Sequence, residues 1–182
     1  MKLTSLRNSI IVLGLSMFVL VSCQQPDVKK EAQDLRTELN TLQKELMANP
    51  QTLDAVKGDS MVLLYKKYAI KYPNDSMSVE YLFRAAEIQM GLSKNEECIK
   101  SLSYIQKTYP NSKVMPMLLQ FKAFVYDDKF NDFDNARACM DELIENYPES
   151  ELIPNAKAYR NMIGKDPEEI FRKMDSTATN AN

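Results

Sequence analysis

Tyr72-Pro73-Asn74-Asp75, Tyr109-Pro110-Asn111-Ser112 and Tyr147-Pro148-Glu149-Ser150 are three versions of one tetrapeptide, their prolines 37 and 38 residues apart. Reading back from each proline, apolar residues recur at the same intervals: Met61, Tyr65, Tyr68 and Tyr72; Cys98, Leu102, Ile105 and Tyr109; Ala136, Met140, Leu143 and Tyr147. Steps of four, three and four place each set along one stripe of an α-helix. Proline has no amide to continue the helical ladder and disfavours helical geometry in the residue before it, so each helix stops at its tyrosine. A helix with one exit, recurring at a near-constant period, is the signature of a repeat architecture.

Two further helices are predicted between these, roughly Ser78 to Leu92 and Pro116 to Asp128. The first is apolar on two sides: Val79, Leu82, Ala86 and Met90 form one stripe, and Tyr81, Ala85, Ile88 and Leu92 another. A helix apolar on two faces is sandwiched between neighbours. The expected fold is all-α, an α-solenoid of helix hairpins.

The composition agrees and excludes several function classes. The 182 residues are 45 % hydrophobic and 26 % charged, which is the make-up of a folded globular chain. There are only four glycines and neither histidine nor tryptophan, so glycine-rich phosphate loops and imidazole catalysis are absent. No nucleophile and base pair can be assembled, and no catalytic residue or enzyme activity is expected. Glu96-Glu97 and Glu168-Glu169 fall at predicted helix starts, where the helix dipole favours a solvated carboxylate. With 23 basic against 25 acidic residues there is no charge excess to neutralise nucleic acid. Cys98 and Cys139 lie among apolar residues of predicted helices with no ligand cluster around them. No metal or other cofactor is implied, and the two thiols are read either as buried free cysteines or as a bridge.

With these features the chain resembles the tetratricopeptide repeat, of the type with a Tyr-Pro-Asx-Ser link found in BamD-like outer-membrane lipoproteins and in YbgF-like periplasmic proteins. The small residue where paired helices touch is Ala86 and Ala123 in the first helices and Cys98 and Ala136 in the second. Leu102 and Met140 are the large residues that follow, and Pro110 and Pro148 end the repeats. Gln89 stands where the pattern wants a tyrosine, a place Tyr126 fills one repeat later, and the stretch Asp127 to Phe130 holds one extra residue. The resemblance covers about Leu53 to Lys173, with two matched repeats and a half repeat at each side. It implies a protein-binding groove lined by the first helix of each pair. By the family register the partner-binding positions are Phe83, Glu87, Met90, Gln120, Phe124 and Asp127.

Residues 28–48 read as an amino-terminal helix. Val28, Ala32, Leu35, Leu39, Leu42 and Leu46 form a heptad seam under three heptads long, spanning about 28 Å. Two uses of that seam stand open: it covers the end of the solenoid, or it joins copies as a homo-oligomer through residues 28–46, as the YbgF-like resemblance implies. Asn49-Pro50 ends the helix, and the repeat domain is expected over 53–174. Within it Ile163-Gly164-Lys165-Asp166-Pro167 reads as a stop and a restart, and Ile170, Phe171 and Met174 on a short last helix close the array. Residues 175–182 have nothing to bury and are expected to be a disordered tail.

Residues 1–22 read as a signal peptide: Lys2 and Arg7, then an apolar run from Ile10 to Val21. Twelve residues make a helix of about 18 Å, short of the roughly 30 Å hydrocarbon core. Leu20-Val21-Ser22-Cys23 resembles the bacterial lipobox, and the plain alternative is a secretory signal whose cysteine is coincidental. The lipobox resemblance implies cleavage before Cys23, a covalent lipid on Cys23, a linker over 23–27 and a membrane anchor; Gln24 after the cysteine then implies the outer membrane, on its periplasmic face. Loss of Lys2 and Arg7 leaves 21 basic against 25 acidic residues. The functional expectation is an anchored adaptor for a protein partner, in the setting of outer-membrane protein assembly. The alternative is an oligomeric spacer coordinating envelope or cell-wall processes.

Overall fold

A computed structural model describes residues 28–48 and 54–165. The signal-peptide segment, Cys23 and its linker, the restart at Asp166-Pro167, the last helix and the carboxy-terminal tail lie outside the described residues. Those described form seven α-helices and one π-helical turn, with no strand: α1 Val28–Met47, α2 Ala55–Lys71, α3 Ser76–Gly91, α4 Asn95–Thr108, α5 Met115–Val125, the π turn Tyr126–Phe130, α6 Phe133–Asn146 and α7 Ile153–Met162. Successive helices pack on one another down the chain, which makes the fold an all-α helical repeat solenoid.

The three tetrapeptides build the same corner each time. Tyr72, Tyr109 and Tyr147 end α2, α4 and α6 with φ of −125°, −126° and −130° and ψ of 58°, 52° and 51°. Their amides still donate to the carbonyl four residues back, at 2.8, 2.8 and 3.1 Å. Their carbonyls then accept from the amide of Asp75, Ser112 or Ser150, at 3.0, 3.0 and 2.9 Å. The side chain of that residue next takes the amide two positions on: Asp75 Oδ1 from Met77 at 2.9 Å, Ser112 Oγ from Val114 and Ser150 Oγ from Leu152, both at 3.3 Å. Aspartate or serine is needed there because a short side-chain oxygen must reach an amide that the new helix leaves unpaired.

All nine stripe residues preceding the three tyrosines are buried. The two apolar sides of α3 divide as expected between two cores. Val79, Leu82 and Ala86 pack with Cys98, Leu102, Ile105 and Leu118, and Met90 adjoins them. Tyr81 and Ala85 pack with Met61, Tyr65 and Tyr68, and Ile88 adjoins them. A third core joins Leu119 and Ala123 of α5 to Ala136, Met140 and Leu143 of α6 and Ala156 of α7. Cys98 and Cys139 are free thiols inside these cores, raised by burial to about 12 and about 11.

The seam of α1 is used within the fold. Leu35 and Leu39 are buried against α2 and α3, with Ala32, Leu42 and Leu46 alongside. Arg36 of α1 donates from Nε to the Tyr68 hydroxyl at 2.7 Å and pairs with Asp75, and Glu31 pairs with Lys71. Helix α1 is thus the first helix of a hairpin with α2, antiparallel to it, and the leucines a coiled coil would use already have partners.

Two expected boundaries move. Helix α3 starts at Ser76 because Asp75, as N-cap, satisfies the Met77 amide. The α-helix of the next repeat ends at Val125, and its extra residue is taken up by the π turn.

Candidate groove across the first helices

Helix α3 presents Glu80, Phe83, Arg84 and Glu87 on the side that faces α1 and the start of α5. Residues three and four apart share a helix face, so these four form one surface. A cleft of about 580 Å³ runs from Gln43 and Leu46 of α1 across this surface to Val114 and Met117. A second, of about 390 Å³, continues from Phe83, Glu87 and Met117 over Gln120, Phe121 and Phe124 to Tyr159 of α7. The shared residues Phe83, Glu87 and Met117 join the two into one trough crossing α1, α3, α5 and α7.

Its floor is aromatic and its rim polar. Phe83, buried in the core, meets Phe121 edge to face with centroids 5.7 Å apart. Phe124 is exposed on the wall. Glu87 is exposed at the junction of the two clefts, yet the atoms crowded around it desolvate its carboxyl and raise its pKa above the ordinary carboxylate value, an effect Arg84 partly offsets. Arg84 is turned toward Gln43 of α1, 3.4 Å from Nη1 to Oε1. A carboxylate held above its usual pKa in a partly apolar trough gains from any cation brought close to it.

Of the six residues assigned from the register, Phe83, Glu87, Gln120 and Phe124 line the trough. Phe83 does so only as its floor, since all but an edge of the ring is packed in the core. Two of the six do not line it. Met90 is half-buried against the α3–α4 core and lines neither cleft, since it continues the Val79, Leu82 and Ala86 stripe that faces that core. Asp127 accepts a hydrogen bond from the Tyr159 hydroxyl at 2.7 Å, so its side chain ties the π turn to α7. Glu80, Met117, Phe121 and Tyr159 were not anticipated. Glu80 and Met117 lie one turn before Phe83 and Gln120, and that spacing was the available signal; Tyr159 had none, because α7 is placed only by packing.

The position that departs from the family pattern has its own solution. Gln89 is buried on α3 and accepts from Ser101 Oγ of α4 at 2.8 Å, so the hairpin is crossed by a hydrogen bond where the family places a ring. Among the described residues no group of three His, Cys, Asp or Glu could hold a metal ion. No described helix is long and apolar enough to cross a membrane.

Residues 80–112 and 120–150 each match the tetratricopeptide repeat family. Over these two segments the chain is similar to the tetratricopeptide repeat. The two matches correspond to α3 with α4 and to α5 with α6, and their second helices carry the small residues Cys98 and Ala136 at equivalent buried positions. No curated protein and no solved structure matches the chain significantly. Tetratricopeptide arrays are scaffolds for protein–protein interaction, and the trough crosses the first helices of both repeats.

Proposed function

We propose that the chain is a lipid-anchored adaptor that works on the periplasmic face of the outer membrane and holds a segment of another protein in the trough. The observation that carries this reading is the continuity of the trough over α1, α3, α5 and α7 through Phe83, Glu87 and Met117. Its aromatic floor suits an apolar side chain and Glu87 suits a lysine or arginine beside it, so the segment is an apolar one with a basic flank. The anchor rests on the lipobox-like Leu20-Val21-Ser22-Cys23. A role in outer-membrane protein assembly is consistent with the repeat type. The alternative role, a spacer oligomerised through α1, is less favoured because Leu35 and Leu39 are spent inside the fold.

Two measurements on the full chain in cells test the two halves of the proposal. Labelled palmitate should be incorporated by the wild type and lost in Cys23→Ala; retention of label in that variant removes the anchor. A photo-crosslinking residue placed at Phe124 should give a discrete protein adduct that Glu87→Arg reduces at least ten-fold. An adduct unchanged by the charge reversal, or no adduct, removes the trough as the binding site.

A further inference from the structure

Val56, Leu63 and Ile70 lie seven residues apart on α2 and are 77 %, 69 % and 78 % exposed. Seven residues make nearly two helical turns, so the three side chains form a line along the helix. That line lies on the side of α2 turned away from Met61 and Tyr65, whose buried side chains face the trough. Beside it stands Tyr104 of α4, 53 % exposed, across a cleft of about 400 Å³ floored by Ala69, Leu82 and Ser101. Four large apolar side chains are thus open on a face that the trough does not use.

We infer that this face joins two copies of the chain, as a twofold antiparallel pair of α2 helices centred on Leu63. The line is symmetric about its middle: Val56 and Ile70 are each seven residues from Leu63. A twofold axis there sets Leu63 against itself and each Val56 against the other copy's Ile70, which is the self-complementarity an isologous interface requires. The charges agree with this axis. Lys66 and Asp59 lie on the same flank of the line, three residues after and four before Leu63, so each Lys66 comes beside the other copy's Asp59. On the other flank Lys67 comes beside Ser60. No like charges are set against each other across the helix pair. Asp59 is already oriented by Lys94, whose Nζ lies 2.5 and 2.7 Å from its two oxygens, and it keeps lone pairs for a second donor. A parallel pair would set Lys66 against Lys66 or Lys67 across the seam and has no such match.

The four side chains offer on the order of 500 Å² per copy, below the roughly 800 Å² of a standard interface. The pair is therefore reversible, and the test must trap it. Helices packed 8–10 Å apart with a Cα radius of about 2.3 Å bring facing Cα atoms to about 3.4–5.4 Å, and the wider part of that range is within reach of a disulfide. In the full chain, with buried Cys98 and Cys139 left in place, Leu63→Cys should give a reducible dimer on mild oxidation, at least ten-fold above the parent. Ile70→Cys alone should give no more than the parent, whereas Val56→Cys and Ile70→Cys chains expressed together should crosslink to each other. Adding Leu63→Glu to that mixed pair should reduce its crosslinking at least ten-fold. No dimer from Leu63→Cys, or as much from Ile70→Cys alone, overturns the pairing. Protection of the thiol introduced by Leu63→Cys from a maleimide, without any dimer, also overturns it, because the face is then covered by lipid or by another part of the same chain.

Discussion

Ser93 and Asn131 hold the same left-handed backbone conformation, with φ of 59° and 51°, at the turn between the two helices of successive repeats. They are 38 residues apart, whereas the buried Ala86 and Ala123 of the preceding helices are 37 apart. The second repeat therefore carries one residue more between its first-helix contact and its turn, and the π turn Tyr126–Phe130 absorbs it. A π-helical bond spans one residue more than an α-helical one, so the insertion widens a single turn and leaves everything after it in register. Asparagine suits the left-handed position better than most residues.

Deleting Asp128 should restore the spacing of the first repeat. Asp128 and Lys129 are exposed and pair with each other, at 2.7 Å, so the deletion removes no core contact. The helical circular dichroism spectrum should be unchanged and the melting temperature should stay within about 5 °C of the wild type or rise. Deleting Glu87 from α3, where no wide turn exists, should instead rotate the following face by about 100° and unfold the repeat. Comparable loss in both deletions would show that the π turn is not where the extra residue is accommodated.

The tie between α1 and the first corner should weaken in acid. Burial disfavours the Asp75 carboxylate, but the Met77 amide, the Tyr68 hydroxyl at 2.8 Å and Arg36 together hold its pKa below the ordinary 3.8. Tyr68, desolvated and donating to Asp75, is pushed up to about 12 and stays protonated. A carboxylate depressed in the folded state contributes stability above its unfolded pKa and loses it as pH falls through the folded one. Asp75→Asn should lower stability by about 1–2 kcal/mol at pH 7, and the deficit should shrink below pH 3.8. Urea titrations of both proteins at about pH 7 and about pH 3 measure it.

Ser101 and Gln89 should behave as one unit. Ser101→Ala leaves the buried Gln89 amide oxygen without its donor and should cost about 1–2 kcal/mol. The double change Gln89→Leu with Ser101→Ala removes both polar groups and should cost less than the single one. A double-mutant cycle with additive terms would exclude the coupling.

Gly164→Ala should destabilise the end of α7 by about 1–2 kcal/mol. Gly164 has φ of +70°, and a Cβ there would lie 2.9 Å from Cγ of Phe133, while Arg137 Nη2 donates to the neighbouring Ile163 carbonyl at 2.9 Å. Thermal melting followed by circular dichroism measures the loss; an unchanged melting temperature would mean the turn relaxes freely.

The three Tyr-Pro corners, the buried stripes before them and the double-sided α3 were legible in the sequence because they depend on local periodicity and on proline chemistry. The small residues at helix crossings were legible through the resemblance to the tetratricopeptide repeat, and the stop at Gly164 through its local sequence. The extra residue near Asp127 was visible as a count, but its form was not, since one residue can be absorbed as a loop or as a wide turn. The use of the α1 seam was also undecided, because a heptad pattern states only that leucines need a partner and not which one. Packing against α2 and α3 chose. The same limit governs the trough. The family register placed Phe83, Glu87, Gln120 and Phe124 on one face, but the claim of Tyr159 on Asp127 arises from a contact between elements 32 residues apart in sequence, and Met90 follows the core stripe of α3 instead. Periodicity fixes which side of a helix is apolar; only the way the helices stack decides which apolar side remains open.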